Sequence, residues 1–318
     1  MIKLDIFEPN SLPGHPSCHA ATITELPNGC LLAAWYAGSR EGAPDVAIFT
    51  ASYDPRSQTW NSPQIVIDTP NKPEGNPVLF TDPSNTIWLF YVTMHGSGWD
   101  TCTLHYICSH DAGLSWSQPV MLQDEWGWMI RNKPIVLSSG AYLLPAYDER
   151  DWTSFMLLSN DGGNSWAPSA HITAPSGVIQ PAVVELSDGT LLAYMRCGGR
   201  GGVIWQARSH DGGWSWSDAA PTDFPNPNSG IELIKLRDGT LLLIFNNSST
   251  TRTPLSVALS TDEGRTWDII CDIETDDGEF SYPAAIQSSD GTVHIVFTYR
   301  RETIRHVIFD EVISYTPG

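Results

Sequence analysis

Along the chain, a short polar turn followed by an apolar run recurs at a nearly constant interval. It reads LPNGCLLAAW at 26–35, DPSNTIWLFYV at 82–92, LSSGAYLLPAY at 137–147, LSDGTLLAYMR at 186–196, LRDGTLLLIFN at 236–246 and SSDGTVHIVFTY at 288–299. Each turn of Asn, Asp, Ser and Gly separates two runs rich in β-formers, which predicts a hairpin. The six copies are about 50 to 56 residues apart, a period that marks a repeat architecture.

A second pattern falls between the hairpins. It reads SHDAGLSW at 109–116, SNDGGNSW at 159–166, SHDGGWSW at 209–216 and STDEGRTW at 260–267, with a degenerate copy, SYDPRSQTW, at 52–60. The Asp is placed to accept hydrogen bonds across a tight turn, the Gly to supply positive φ, and the Trp to pack between units. A motif repeated in so many units serves the turn rather than one site. A unit of this length with four short strands predicts a propeller blade. The sixth unit has no box and ends at IRHVIFDEVISY, so the N-terminal IKLDIF is expected to supply its outer strand and close the ring. With no linker or shift in composition, residues 1–318 read as one all-β domain, a six-bladed β-propeller.

Composition narrows the partners. The 13 Trp, 10 Tyr, 10 Phe, 26 Gly and 23 Pro suit short strands and tight turns. The net charge of −19 disfavours nucleic acid and anionic membranes, and an anionic ligand then needs a local cluster of Arg. No stretch is long and apolar enough to insert in a membrane. The six Cys form no CxxC pair and no metal-ligand spacing occurs, so neither a metal nor a cofactor is expected. Free thiols and an N-terminus without an apolar leader give a cytoplasmic expectation. Nothing in the chain speaks to oligomeric state.

Candidate chemistry comes from the residues that begin each innermost strand. Counting back from the hairpins reaches His19, Asn76, Arg131 with Asn132 and Lys133, Gln180, Ser229 and Tyr282. Apolar or small residues would suit a purely structural position. Polar groups converging from six repeats instead point to a ligand ring at the mouth of the channel.

The boxes, their place after the third strand and the six units resemble the sialidase superfamily over essentially the whole chain. The stretches GSREG (38–42), NKPI (132–135), PNPNSG (225–230) and SYPA (281–284) are similar to bacterial sialidase-like proteins. That family holds a sugar carboxylate with three Arg, attacks with a Tyr paired to a Glu, and protonates the leaving group with a loop Asp. The resemblance places Arg196 and Arg252 on the second and third Arg and Tyr282 on the nucleophile. Three positions depart from it. His19 stands at the first Arg, Gln180 at the Glu, and the loop offers Glu41 and Asp45 beside Arg40. Arg131, Arg200 and Arg300 are candidates to replace the missing Arg. A base other than Gln180 is needed, from Glu232, His19 or Glu279. Protonated His19 could hold a carboxylate; neutral, it could act as a base. Cys197 reads as a buried thiol, and Trp99, Trp126, Trp128 and Trp152 as loop residues that stack on sugars or pack under loops.

Three functions follow. The first is a glycoside hydrolase releasing a terminal acidic sugar from an oligosaccharide or glycoconjugate, exo-α-sialidase-like, with a non-standard site. The second is a lyase on uronate-containing polysaccharide, with His19 or Tyr282 abstracting a proton. The third is a non-catalytic glycan-binding propeller.

Overall fold

The structure is a computed structural model that describes residues 1–199 and 202–309; Arg200 and the end of the chain lie outside the described residues. Six antiparallel sheets follow one another around a ring, and within each the three main strands pair in chain order. Blade I is built on Ser17–Glu25, Leu31–Gly38 and Ala47–Asp54, and blade II on Glu74–Thr81, Ile87–Met94 and Cys102–Ser109. The corresponding strands of blade IV are Val178–Glu185, Leu191–Cys197 and Val203–Ser209. Those of blade V are Glu232–Lys235, Leu241–Asn246 and Leu255–Ser260. Blade III has a broken innermost strand, Trp128–Ile130 and Ile135–Val136, followed by Tyr142–Asp148 and Thr153–Ser159. Blade VI has Phe280–Gln287, Val293–Tyr299 and Thr303–Phe309, and its outer strand is the N-terminal Ile2–Asp5, with Ile2 opposite Ile308. The expected closure of the ring is therefore the observed one, and the fold is the six-bladed β-propeller.

Second strands are apolar on both faces because each lies between two blades. Among the described residues the core divides into six apolar clusters, one at each blade junction.

The boxes do the structural work expected of them. Asp211 accepts hydrogen bonds from Ser209 Oγ (2.8 Å), the Ser215 amide (2.9 Å) and Ser215 Oγ (2.5 Å). The same set recurs at Asp111, Asp161 and Asp262. Gly213 takes φ +95°, and a Cβ there would sit 2.8 Å from Leu143 Cδ1 of the preceding blade. Gly163 and Gly264 press in the same way on Trp88 and Leu192. The box is thus a turn and also a close contact between neighbouring blades.

Inner strands carry a bulge in four blades. Two residues oppose one at Ala20–Ala21 across from Trp35, Asn76–Pro77 across from Tyr91, Gln180–Pro181 across from Met195, and Tyr282–Pro283 across from Phe297. The first residue of each pair has positive φ, between 42° and 56°. A bulge leaves its extra residue outside the ladder, and in three of the blades a Pro there has no N–H to leave unpaired.

Gly213→Ala is expected to destabilise by about 1–2 kcal/mol from its backbone and about 1–3 kcal/mol from overpacking. Gly212→Ala, also at positive φ but facing open space, should show only the first loss, and urea unfolding compares the two. The hydrogen bonds at Asp111, Asp161, Asp211 and Asp262 lower each carboxyl from 3.8 to about 2. Their contribution is complete above the unfolded value and disappears as pH falls through about 2. Circular dichroism against pH should show unfolding in that window, displaced in Asp211→Asn.

Candidate active site

The bulges aim side chains into a cavity of about 180 Å³ at one end of the channel. Their left-handed backbone turns Asn76, Gln180 and Tyr282 out of the strand alternation and toward the axis. In blade I the equivalent residue is Ala20, not His19, which precedes it. In blade V the same register falls on Gly230, where a Cβ would lie 3.2 Å from Gln180 Oε1 and 3.4 Å from Tyr282 Cγ. Its missing side chain leaves room for both.

Second strands add another layer. Tyr36, Tyr147 and Arg196 occupy the same position, five residues into the second strands of blades I, III and IV, and all reach the cavity. Alternation then places Glu149, two residues past Tyr147, in the same cavity. Asp148 between them turns away to Arg150, 2.6 Å distant.

Tyr282 is the centre of the arrangement. Its Oη receives hydrogen bonds from Arg196 Nη1 (2.6 Å) and Gln180 Nε2 (3.4 Å). The guanidinium groups of Arg131, Arg252 and Arg196 lie 5.2, 5.4 and 5.7 Å from its ring centroid. Burial opposes ionisation of the phenol, but Arg196, Arg252 and the Gln180 amide outweigh it and hold the pKa below the usual tyrosine value. Tyr36 and Tyr147 go the other way. Burial raises both well above that value, with Glu41 adding to the shift at Tyr36 and Glu149 at Tyr147. Gln180 is held at both ends: Oε1 accepts from Arg196 (3.1 Å), and Nε2 also reaches Tyr147 Oη (3.5 Å).

The third cation is Arg301, in the turn before the last strand of blade VI. It binds Glu41 Oε2 at 2.5 Å and Glu279 Oε2 at 3.0 Å. Arg252 binds Glu279 Oε1 at 2.6 Å. Burial raises the Glu279 pKa less than Arg252 and Arg301 lower it, so this carboxylate stays charged between two Arg.

Several expected residues lie elsewhere. His19 is 2 % exposed, and its ring centroid is 4.1 Å from that of Tyr282. Burial first, then Arg301, Arg252, Arg131 and Arg196, push its pKa well below the usual value. Its Nε2 lies 3.5 Å from Arg301 Nη2 and its Nδ1 3.9 Å from Glu279 Oε1, so it stands beneath the cavity against Tyr282 and does not line it. Arg131 is buried beneath the cavity, donating from Nη2 to the carbonyls of Tyr282 (2.6 Å) and Pro283 (3.0 Å). Asn132 Nδ2 does the same for Gln180 (3.1 Å) and Pro181 (3.0 Å). Both brace the bulges, and neither lines the cavity. Lys133 pairs with Glu232 at 2.6 Å in a separate recess, so neither lines the cavity that holds Tyr282. Ser229 is buried, with its amide and carbonyl bonded to Asn226.

In the blade I loop, Asp45 accepts from the amide (3.2 Å) and hydroxyl (2.9 Å) of Ser39 and does not line the cavity, and Arg40 is exposed. Glu41 alone of the three reaches the site. Arg300 lies over Phe280 and Tyr299, outside it. Cys197 is buried against Asn226. Trp99 and Trp152 wall the cavity, Trp126 stacks on His95, and Trp128 packs on Phe155.

Sequence reasoning missed Arg301, Glu149, Tyr36 and Tyr147. The signal for three of them was the register that found Arg196: counting five residues into each second strand reaches Tyr36 and Tyr147, and Glu149 follows by alternation. Arg301 sits in an irregular turn, one residue beyond the candidate Arg300, where strand counting gives no register.

Residues 29–295 match the family model of the BNR repeat-like domain. No curated protein matches the chain by sequence. Among solved structures, a protein of unknown function from Dyadobacter fermentans superposes with a TM-score of 0.81 at 18 % identity, covering 96 % of this chain and 97 % of that one. The NanB sialidase of Streptococcus pneumoniae gives 0.78 at 16 % identity over 96 % of this chain and 70 % of its own. The intramolecular trans-sialidase of Ruminococcus gnavus, in complex with oseltamivir carboxylate, gives 0.76 at 15 % identity over 96 % and 97 %. These likenesses are of fold. The chain belongs to the BNR repeat-like domain family, and its propeller is that of the sialidases.

Proposed function

We propose that this protein is a glycoside hydrolase that releases a terminal acidic sugar, with an α-linked sialic acid or a close relative as substrate. The observation that carries the reading is the convergence of Arg196, Arg252 and Arg301 on one cavity with Tyr282. Forked guanidinium groups suit a carboxylate, and this cluster supplies the local positive field that a chain of net charge −19 otherwise lacks. Tyr282 is the nucleophile, or the group that stabilises an oxocarbenium-like centre.

The chemistry is balanced differently from a Tyr–Glu pair. Gln180 cannot accept a proton, so positive charge rather than a neighbouring base activates the phenol. Supporting this, Oη receives its hydrogen bonds from a guanidinium and an amide. Asp45 is held by its own loop, and the Glu41 carboxylate is engaged by Arg301.

Incubation with a panel of sialyl-oligosaccharides should release free sugar. An unsaturated product absorbing in the ultraviolet would instead mark elimination, and saturable binding without release would mark a lectin-like propeller. Arg252→Ala should lower kcat/KM by about 10- to 100-fold, the loss of a charge-assisted hydrogen bond of about 1.5–3 kcal/mol; native kinetics in that variant count against the carboxylate clamp. Gln180→Glu should raise the Tyr282 pKa by setting a like charge beside the phenolate. Ultraviolet titration of tyrosinate, with Tyr282→Phe identifying the step, reads the shift.

A further inference from the structure

We propose that Glu149 is the acid and base of this site, handing a proton to the departing oxygen and later taking one from the attacking water. The inference rests on the hydrolase reading above and assigns to blade III a role that a loop of blade I was expected to fill.

Position comes first. Glu149 opens the turn that follows the second strand of blade III, and its amide donates to Gly127 O at 2.8 Å, which fixes the backbone there. Its side chain shares the cavity with Tyr282, Arg196 and Trp152. Among the described residues, no hydrogen-bond donor reaches its carboxyl. The other acids near the cavity are all engaged: Glu41 with Arg301, Glu279 with Arg252 and Arg301, and Asp148 with Arg150. An acid that must gain and lose a proton in each cycle cannot be tied to a guanidinium in this way.

Electrostatics agree with the geometry. Burial is the main influence and raises the Glu149 carboxyl to about 7; Arg196 works against it, while Asp100 and Asp148 add to it. The other titratable groups that face it, Tyr147 and Cys102, are themselves raised by burial and stay neutral near pH 7. Glu149 is therefore divided between its two forms near neutrality, where a group serving as both acid and base works best.

The step balances. The glycosidic C–O bond breaks as the departing oxygen takes the proton of Glu149, and Tyr282, entering as the phenolate that Arg196 and Arg252 favour, bonds through Oη to the anomeric carbon. Water then attacks that carbon, its proton goes to the Glu149 carboxylate, and the C–Oη bond breaks. Both side chains return to their starting states.

The test compares leaving groups. Glu149→Gln should lose about 10²- to 10⁴-fold in kcat/KM, which reports the step that expels the leaving group, on a sialyl-oligosaccharide, whose sugar oxygen needs a proton. On an aryl sialoside with an acidic phenol as leaving group the loss should be about tenfold or less. The fall in kcat above about pH 7 should vanish in Glu149→Gln. It should persist in Glu74→Gln, because Glu74 is also raised to about 7 by burial but is bonded to Thr93 outside the cavity. Added formate should restore turnover to Glu149→Ala, which guards against misreading a folding defect. Equal losses on both substrate classes, or a leaving-group-selective loss in Glu41→Gln instead, overturn the assignment to Glu149 and leave the hydrolase reading standing. No release of any acidic sugar by the native protein overturns both.

Discussion

The site depends on two side chains that never reach it. Arg131 and Asn132 stand where the innermost strand of blade III is broken, and each donates to a pair of carbonyls in another blade. Those carbonyls belong to the bulges at Tyr282–Pro283 and Gln180–Pro181, which the sheet ladder leaves unpaired. A buried carbonyl without a donor costs about 1–3 kcal/mol, and a bulky residue at positive φ adds strain of about 1–3 kcal/mol. The bulges persist because blade III satisfies them. The break in one strand and the bulges in two others are one device, and it turns a phenol and an amide toward the axis.

Charge completes what the backbone begins. Four Arg surround Tyr282 or its cavity, and the carboxylates that answer them are divided: Glu279 sits between Arg252 and Arg301, and Glu41 binds Arg301. Gln180 contributes no negative charge beside the phenol. The cations of a strongly acidic protein are thus gathered at one cavity, and where their counter-charges are placed sets the local field.

Most of the fold was legible because its signals are periodic. Hairpin spacing, the Asp boxes and the unpaired last unit led to six blades and a shared closing sheet, and each corresponds to observed pairings. Tyr282, Gln180, Asn76, Arg196 and Arg252 were also readable, since repeats place them in register. In blade I the count back from the hairpin ran one residue past Ala20, which shares the bulge register of Asn76, Gln180 and Tyr282. The break in blade III sends Arg131, Asn132 and Lys133 away from the cavity although they begin the same strand. Burial, which lowers the His19 pKa and raises that of Glu149, cannot be read from residue type at all. Arg301 needed three-dimensional proximity between an irregular turn and a loop more than 250 residues earlier, which Arg301 and Glu41 themselves define.

The N-terminal strand has a consequence for when the cavity comes into being. Among the described residues Ile2–Asp5 pairs with Thr303–Phe309 alone, about 300 residues further along the chain. Contacts so distant in sequence form late, since a long segment must first be organised between them. Tyr282 and Arg301 arrive with the last blade, and Tyr36 and Glu41 with the first. Blade I therefore waits for blade VI, and the cation-rich centre takes shape in the same event that seals the circle. Without blade VI the cavity would lack Tyr282 and Arg301, however well the other blades fold.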